Sequence, residues 1–339
     1  LPDCGSQCWF CDLPVRFDTY EGCSHGCKYC FVQRKNDIAV IKPKESVVAL
    51  QRFLSGQKSK VVSWCDWAIP LHWGGVSDPF QPCEKSMKRT LPCLKLLADE
   101  QYPTIISTKG RLCIEEPYLS LIEKGNIVMQ VSAVCSKYDA LEPGAPTFEE
   151  RLKIIGTLAA KAKRVNVRIQ PYVHDVFADV MANIPRFKEA GAHGLIFEGM
   201  KFIKKKPGLV RCGSDWVQPK ALLRADFEKL REECHRNGLV FYAGENRLRA
   251  MGDSLTCCGV EDLDGFKPNT YNICHMVNGD MTEPTEAMTK PGSAECFKAI
   301  MQTTEGSRLC GRESFASMQK LFLQQKREYV RDVLGLNER

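Results

Sequence analysis

The stretch Tyr20-Glu21-Gly22-Cys23-Ser24-His25-Gly26-Cys27-Lys28-Tyr29-Cys30-Phe31 decides how the rest of the chain is read. Three cysteines sit at C-x3-C-x2-C spacing, and a loop this tight points three thiolates at one small object. Three protein ligands leave one position of a metal centre open, as a reactive centre needs and a structural one avoids. Gly22 and Gly26 let the backbone fold closely around inorganic matter, and Tyr29 supplies an aromatic wall just before the last cysteine.

Working outward, short apolar runs alternate with longer amphipathic ones. The spacing predicts helices over 46–54, 84–99, 116–124, 148–163, 177–190 and 226–237. Strands are expected over 68–73, 103–107, 127–132, 164–170, 194–198 and 239–243. Repeated βα units of this kind argue for an α/β fold, a parallel sheet closed or half closed into a barrel. Residues 244–312 break the pattern. They are rich in Gly, Pro, Asn, Thr and Met, hold five cysteines, and read as an irregular cap before an amphipathic helix over 314–334. The organisation expected is an N-terminal cysteine segment (1–15), a barrel (16–243) and a Cys-rich cap with its closing helix (244–339).

Composition sets the bounds. At 339 residues the chain can bury a full core, as one large α/β domain with appendages or as two domains. Hydrophobic residues make up 44% and charged residues 26%, ordinary for a water-soluble protein. No apolar run approaches the roughly 18 residues of a membrane span. Leu1-Pro2-Asp3-Cys4 lacks a charged-then-apolar leader pattern, so a cytoplasmic location is expected. The net charge of +6 permits a polyanionic partner without demanding one. The run Lys201-Phe202-Ile203-Lys204-Lys205-Lys206 suits phosphate contact, though a solvated loop explains it equally.

Eighteen cysteines are many. In a long chain with no leader pattern, and with six of them in two triplets, metal binding explains them better than disulfides. Such thiol richness fits a reducing, anaerobic cell. Cys65, Cys93, Cys113, Cys135, Cys234 and Cys296 stand alone and read as small buried hydrophobes. The second triplet, Cys4, Cys8 and Cys11, repeats the C-x3-C-x2-C spacing with an aromatic before its last cysteine. It needs a fourth ligand, and the tail offers Cys257, Cys258, Cys274, His275 and Cys310. Thiolates suit zinc and an auxiliary iron–sulfur cluster alike, and the spacing leaves both open. Of the adjacent pair Cys257-Cys258, one is expected to be a ligand; the other is a packing residue or a hydrogen-atom donor.

The Cys23–Cys27–Cys30 loop, followed by βα repeats, resembles the cluster loop of the radical S-adenosylmethionine (SAM) enzymes. Further segments resemble the spore photoproduct lyase-like branch of that superfamily. These are Phe17-Asp18-Thr19-Tyr20, His72-Trp73-Gly74-Gly75-Val76-Ser77-Asp78-Pro79-Phe80-Gln81-Pro82 with Glu84, Ser107-Thr108-Lys109 with Arg111, and Val131-Ser132. Leu141-Glu142-Pro143-Gly144-Ala145-Pro146-Thr147-Phe148-Glu149-Glu150-Arg151-Leu152 and Val167-Arg168-Ile169-Gln170-Pro171 complete the set, which covers roughly residues 16 to 200.

The resemblance implies a partial (β/α)6 TIM-type barrel with the Cys-rich segment as its cap. It also implies a 4Fe–4S cluster on Cys23, Cys27 and Cys30 whose fourth iron chelates SAM. By the same resemblance SAM lies across the carboxyl ends of the strands, near Tyr29, Gly74, Gly75, Ser77, Asp78, Ser107, Lys109, Ser132 and Arg168. Reductive cleavage of SAM would give a 5′-deoxyadenosyl radical that abstracts hydrogen from an unreactive carbon. The electron would come from a donor such as flavodoxin or ferredoxin. The branch points to a damaged or modified nucleic-acid base as substrate; a peptide or small metabolite is the alternative. Readings of another class are a non-catalytic iron–sulfur electron-transfer protein and a zinc-stapled nucleic-acid-binding module. Two departures separate the chain from the lyase itself: Gly75-Val76 stands where the lyase has its hydrogen-donor cysteine, and Phe31 replaces a tyrosine after the last cluster cysteine.

Overall fold

A computed structural model describes residues 3–4, 15–34, 37–55, 70–212, 215–254, 257–260 and 263–264. Its frame is an eight-stranded sheet. In sheet order the strands are β1 (Asp3–Cys4), β2 (Val15–Phe17), β5 (Leu71–Trp73), β6 (Thr104–Thr108), β7 (Ile127–Ser132), β8 (Arg164–Tyr172), β9 (Gly194–Gly199) and β12 (Val240–Ala243). β1 runs antiparallel to β2, and every other neighbouring pair is parallel. Among the described residues β2 and β12 do not pair, so this is a partial barrel of the TIM type. Two small ribbons lie outside it: β3 (Tyr20–Glu21) with β4 (Lys42–Pro43), and β10 (Val210–Cys212) with β11 (Asp215–Val217).

The strands form where the apolar runs predicted them, for a physical reason. Phe197 of β9 packs on Phe227, Phe241 and Tyr172, and these rings fill the layer between sheet and helix. Residues one step away in each strand face the other side, because side chains alternate along a strand. On that side the paired positions carry His72, Ser107, Gln130, Asn166 and Arg168, with Glu198 following on β9. One face of the sheet is therefore apolar and roofed by helices, and the other carries a row of polar side chains set among Ile105, Val128 and Ile196.

The helices are α1 (Ser46–Leu54), α2 (Glu84–Met87), α3 (Thr90–Asp99), α4 (Tyr118–Lys124), α5 (Phe148–Ala159), α6 (Phe177–Glu189) and α7 (Lys220–Arg236). The helix predicted over 84–99 is two, broken at Lys88, whose φ of 46° is left-handed. The cause is Glu84, fully buried, whose carboxylate accepts N–H bonds from Arg89, Thr90 and Leu91. That carboxylate serves as the cap of α3 and satisfies amides that otherwise have no helical partner. α7 begins six residues earlier than its periodicity suggested, at Lys220. α5 starts on a capping box, Thr147 with Glu150.

Cys93, Cys113, Cys135 and Cys234 are buried, as their isolation suggested. Cys65, Cys296 and the helix expected over 314–334 lie outside the described residues. Of the cap, residues 244–254, with a 3-10 helix over Asn246–Met251, 257–260 and 263–264 are described, and 258–259 lie against the polar face. The Cys258 carbonyl accepts from Gln130 Nε2 at 2.9 Å, and the Gly259 carbonyl accepts from Asn166 Nδ2 at 3.2 Å. Asp264 bonds to Asn126, just ahead of β7. No helix among the described residues is long and apolar enough to cross a membrane.

Candidate functional site

The triplet loop leaves β3 and lies at the carboxyl edge of the sheet, the end where barrels of this kind build their sites. Gly22 has φ +77°, and a Cβ there would meet the Val40 carbonyl at 2.4 Å, so the loop's entry accepts only glycine. The Cys23 amide donates to the Ile38 carbonyl at 2.8 Å, and Cys30 N–H donates to Cys27 at 3.1 Å.

One wall of the loop comes from the segment after β5. Asp78 is its centre. Its Oδ1 accepts from Phe80 N–H at 2.8 Å and Thr108 Oγ1 at 2.7 Å; its Oδ2 accepts from Lys109 N–H at 2.6 Å and His25 Nε2 at 2.9 Å. Burial alone would raise this carboxyl, but His25 and these donors outweigh it and hold it below the usual carboxylate range. Gln81 adds a clamp on the backbone, accepting from Ser24 N–H at 2.8 Å. Beneath the wall, Asp18 accepts the amides of Val76 and Ser77, and Ser77 Oγ donates to the Tyr20 carbonyl. Burial pushes the Asp18 carboxyl up to about 6.

The opposite wall is the segment after β7, Leu141 to Gly144. Lys28 N–H donates to Leu141 O at 2.9 Å and Gly144 N–H donates to His25 O at 2.9 Å. His25 Nδ1 faces the Gly144 carbonyl at 2.9 Å while its Nε2 faces Asp78. Each ring nitrogen thus has a partner on a different wall, and the ring ties the two walls together through the loop. Tyr29 donates its hydroxyl to Glu142. Arg151 of α5 pairs with Glu142 at 2.5 Å and donates to the Ser132 carbonyl at 2.9 Å. Lys109 Nζ lies 3.8 Å from Glu142 and 6.0 Å from the Tyr29 ring centre.

Below the loop, the polar face carries a continuous chain. Ser107 Oγ donates to Gln130 Oε1 at 2.9 Å, which leaves His72 Nε2–H to donate to Ser107 at 2.9 Å. Burial, then the charges of Arg16 and Arg168, hold His72 well below the ordinary imidazole range, so it is neutral. Arg168 donates to Gln130 at 3.1 Å and to Glu198 at 3.1 Å. Glu198 stays ionised: burial raises its carboxyl, but Lys201 and Arg168 outweigh that effect.

The sequence candidates thus divide. The fold brings Tyr29, Asp78 and Lys109 against the triplet loop, and puts Ser107 and Arg168 on the polar face beneath it. The Ser77 hydroxyl is engaged by backbone, and Ser132 contributes its carbonyl to Arg151. Gly74 has φ +86° and a Cβ there would meet Ser107 O at 2.2 Å; Gly75 has room, its nearest neighbour being Arg16 at 3.6 Å. The partly buried guanidinium of Arg168 finds its anion in Glu198. Cys257 and Cys258 lie side by side, Sγ to Sγ 3.3 Å, with Cys258 in the hydrophobic core. β1 puts Cys4 opposite Val15, at the start of β2. Cys8, Cys11, Cys274, His275 and Cys310 lie outside the described residues.

Sequence reasoning named neither His25, Gln130, Glu142 nor Arg151 as site residues. Each was in plain view, but nothing local distinguishes a bridging histidine or a buried glutamate from a solvated one.

A cluster's fit can be tested on the donors. Burial, with the Asp78 charge adding, pushes the Cys23 thiol up to about 12, while N–H groups of Asp78 and His25 directed at its sulfur act the other way. Burial also raises Cys27; Lys109 and Arg151 oppose it, and Glu142 reinforces it. Buried thiols that attract N–H donors and cations suit coordination to a cationic iron centre, which displaces the proton. Among the described residues no three Cys, His, Asp or Glu side chains already stand gathered as an ion-binding group. The loop therefore fits the cluster in donor chemistry and placement, with its thiols not drawn together.

No family model matches the chain. Uncharacterized proteins of Mycobacterium bovis (strain ATCC BAA-935 / AF2122/97) and Mycobacterium tuberculosis (strain ATCC 25618 / H37Rv) are each 26% identical over 234 residues, 62% of this chain. The match spans 66% of those relatives, a little under two thirds of their length. Among solved structures, a spore photoproduct lyase mutant with bound AdoMet and dinucleoside spore photoproduct superposes with TM-score 0.54 at 14% identity. That match covers 68% of this chain and 76% of the lyase. A second mutant with the dinucleoside spore photoproduct gives 0.55 at 13% identity over the same shares. The chain has the fold of that lyase.

Proposed function

We propose that this chain is a radical SAM enzyme, with Cys23, Cys27 and Cys30 as the ligands of a 4Fe–4S cluster. The observation that carries the reading is position: the triplet loop is braced at the carboxyl edge of a parallel sheet, directly over a polar face of buried, hydrogen-bonded side chains. The AdoMet bound by the lyase of like fold supports SAM as cofactor here. Cys23, Cys27 and Cys30 would hold the cluster, which when bound would supply the one electron that cleaves the sulfonium of SAM to methionine and a radical able to take a hydrogen atom from a substrate C–H bond. The electron would come from a reduced donor of the flavodoxin or ferredoxin class.

The chain's own residues bind, orient and exclude water. Asp78, Gln81 and His25 brace the loop. Arg168 presents a guanidinium on the polar face for a carboxylate, at the cost of loosening its Glu198 pair. Neutral His72 and Ser107 offer hydrogen bonds without adding charge. Gly74, Gly75, Ser77, Tyr29, Lys109 and Ser132 frame the same space. The substrate class we favour is a damaged or modified nucleic-acid base, supported by the dinucleoside bound by the lyase and by the net positive charge. The missing donor cysteine ahead of Ser77-Asp78 and Phe31 in place of tyrosine argue for a reaction other than reversal of a thymine dimer by the lyase's route. Cys4, Cys8 and Cys11, with Cys257, Cys258 or Cys274, are proposed to hold an auxiliary iron–sulfur cluster or zinc. A reducing, anaerobic cytoplasm suits this chemistry.

The test is anaerobic. The chain is reconstituted with iron and sulfide, reduced with dithionite and given SAM, and 5′-deoxyadenosine is quantified. The parent and Cys4→Ala are expected to make it and Cys23→Ala to make none. A cluster-loaded parent that neither binds SAM nor forms 5′-deoxyadenosine overturns the reading; loss in Cys4→Ala alone reverses the two triplets.

A further inference from the structure

Glu142 is hard to explain as a brace alone. It is 2% exposed, lies in a turn between β7 and α5, and keeps its carboxylate away from water. A buried charge is strongly disfavoured unless paired, and the backbone bonds from Lys28 to Leu141 and from Gly144 to His25 already hold the loop. A neutral side chain would serve a brace. Instead Glu142 collects three groups around the second half of the triplet: the Tyr29 hydroxyl, Arg151 at 2.5 Å and Lys109 at 3.8 Å. Arg151 also reaches the partly exposed Asp139 at 3.5 Å, so Glu142 is the fully buried carboxylate set between these two cations beside Cys27. Charges this close in a water-poor site interact strongly.

We infer that Glu142 is a positioning residue that sets the reduction potential of the cluster on the triplet loop, balancing Lys109 and Arg151 beside Cys27. The inference rests on the iron–sulfur reading above. A cluster gains negative charge on reduction, so neighbouring cations favour its reduced form and a neighbouring carboxylate opposes it. Glu142 holds the reduced cluster strongly reducing, as cleavage of a sulfonium demands. Lys109 and Arg151 keep it within reach of a biological donor. Tyr29 ties the balance mechanically to the loop, because it directly precedes Cys30.

The experiment is a potentiometric titration of the reconstituted full chain, with electron paramagnetic resonance reporting the reduced cluster, for the parent, Glu142→Gln and Lys109→Met. Glu142→Gln keeps a side-chain acceptor for Tyr29 and removes the charge. At the parent's midpoint its reduced-to-oxidised ratio is expected to rise several-fold, and that of Lys109→Met to fall several-fold. A Glu142→Gln cluster with the parent's midpoint overturns the inference and leaves Glu142 a brace; so do midpoints that move the same way in both variants, because loss of a mere brace exposes the cluster alike in each while a charge balance moves them in opposite directions. If Glu142→Gln does not fold, Lys109→Met decides alone, and an unchanged midpoint there overturns the inference. A folded parent that takes up no cluster defeats the iron–sulfur reading itself, a different result from a loaded cluster with an unmoved potential.

Discussion

The walls on either side of the triplet loop hold it by different means. The β5 side uses a fully enclosed carboxylate, Asp78, whose oxygens are all taken by short-range donors: two backbone amides, a threonine hydroxyl and His25. The β7 side uses backbone-to-backbone bonds at Leu141 and Gly144 and sets a group of charges, Glu142, Arg151 and Lys109, behind them. The first arrangement is rigid because every partner is short or part of the main chain. The second leaves charge that a redox centre can feel. His25 joins the two, and its place between Cys23 and Cys27 transmits either wall's displacement to the thiols.

The sharpest way to break this comparison is Asp78→Ala. It strands His25, Thr108 and two amides in a buried site, and the expected loss is about 3–5 kcal/mol, read by denaturant unfolding together with weaker iron uptake. A loss under about 1 kcal/mol would mean that the β5 wall is not the rigid one. Gly144→Ala comes next. A Cβ there would meet Ser24 O at 2.1 Å and His25 Cα at 2.9 Å, both backbone, so the loop must move. We expect a loss of about 2 kcal/mol and faster hydrogen exchange at the amides of residues 24–28. Unchanged exchange would remove the β7 wall from the account.

The smallest effect is a pH dependence beneath the β5 wall. The Asp18 carboxyl is raised to about 6 from 3.8 by burial. The folded state therefore holds this proton more tightly than the unfolded one, and stability declines as pH rises from about 4 through about 6. Asp18→Asn keeps an acceptor for the Val76 and Ser77 amides. It is expected to raise stability at pH 8 by about 1 kcal/mol, because the weaker acceptor bonds of the amide offset most of the shift's ceiling of about 3 kcal/mol, and to differ little from the parent near pH 4. A thermal melt at each pH reads it; equal gains at both would trace the effect to something other than this proton.

Much of the frame was legible in the chain. Ile127–Ser132 and Ser46–Leu54 form where their apolar patterns put them, because burial of one face rewards a period that local sequence carries. The helix expected over 84–99 breaks because Glu84 folds back to cap α3. No window of periodicity contains that bond. The triplet loop was legible from spacing and its glycine from the turn it makes; Lys109 and Asp78 entered as candidates only through the family resemblance of their segments.

What the sequence by itself determined is the alternation of βα units, the tight cysteine loop and the chemistry its thiols favour. These arise from nearest neighbours along the chain: side-chain period, ligand spacing, glycine conformation. Only the tertiary structure decided that His25, Asp78, Thr108 and Gly144 meet at one point, and that Glu142 and Arg151 lie buried behind Tyr29. Asp78, Thr108, Glu142 and Gly144 come from the ends of β5, β6 and β7 or the turns that follow them, His25 from the triplet loop after β3 and Arg151 from α5. A parallel sheet brings such turns to one edge, and the packing of that edge turns ordinary surface-type residues into buried partners.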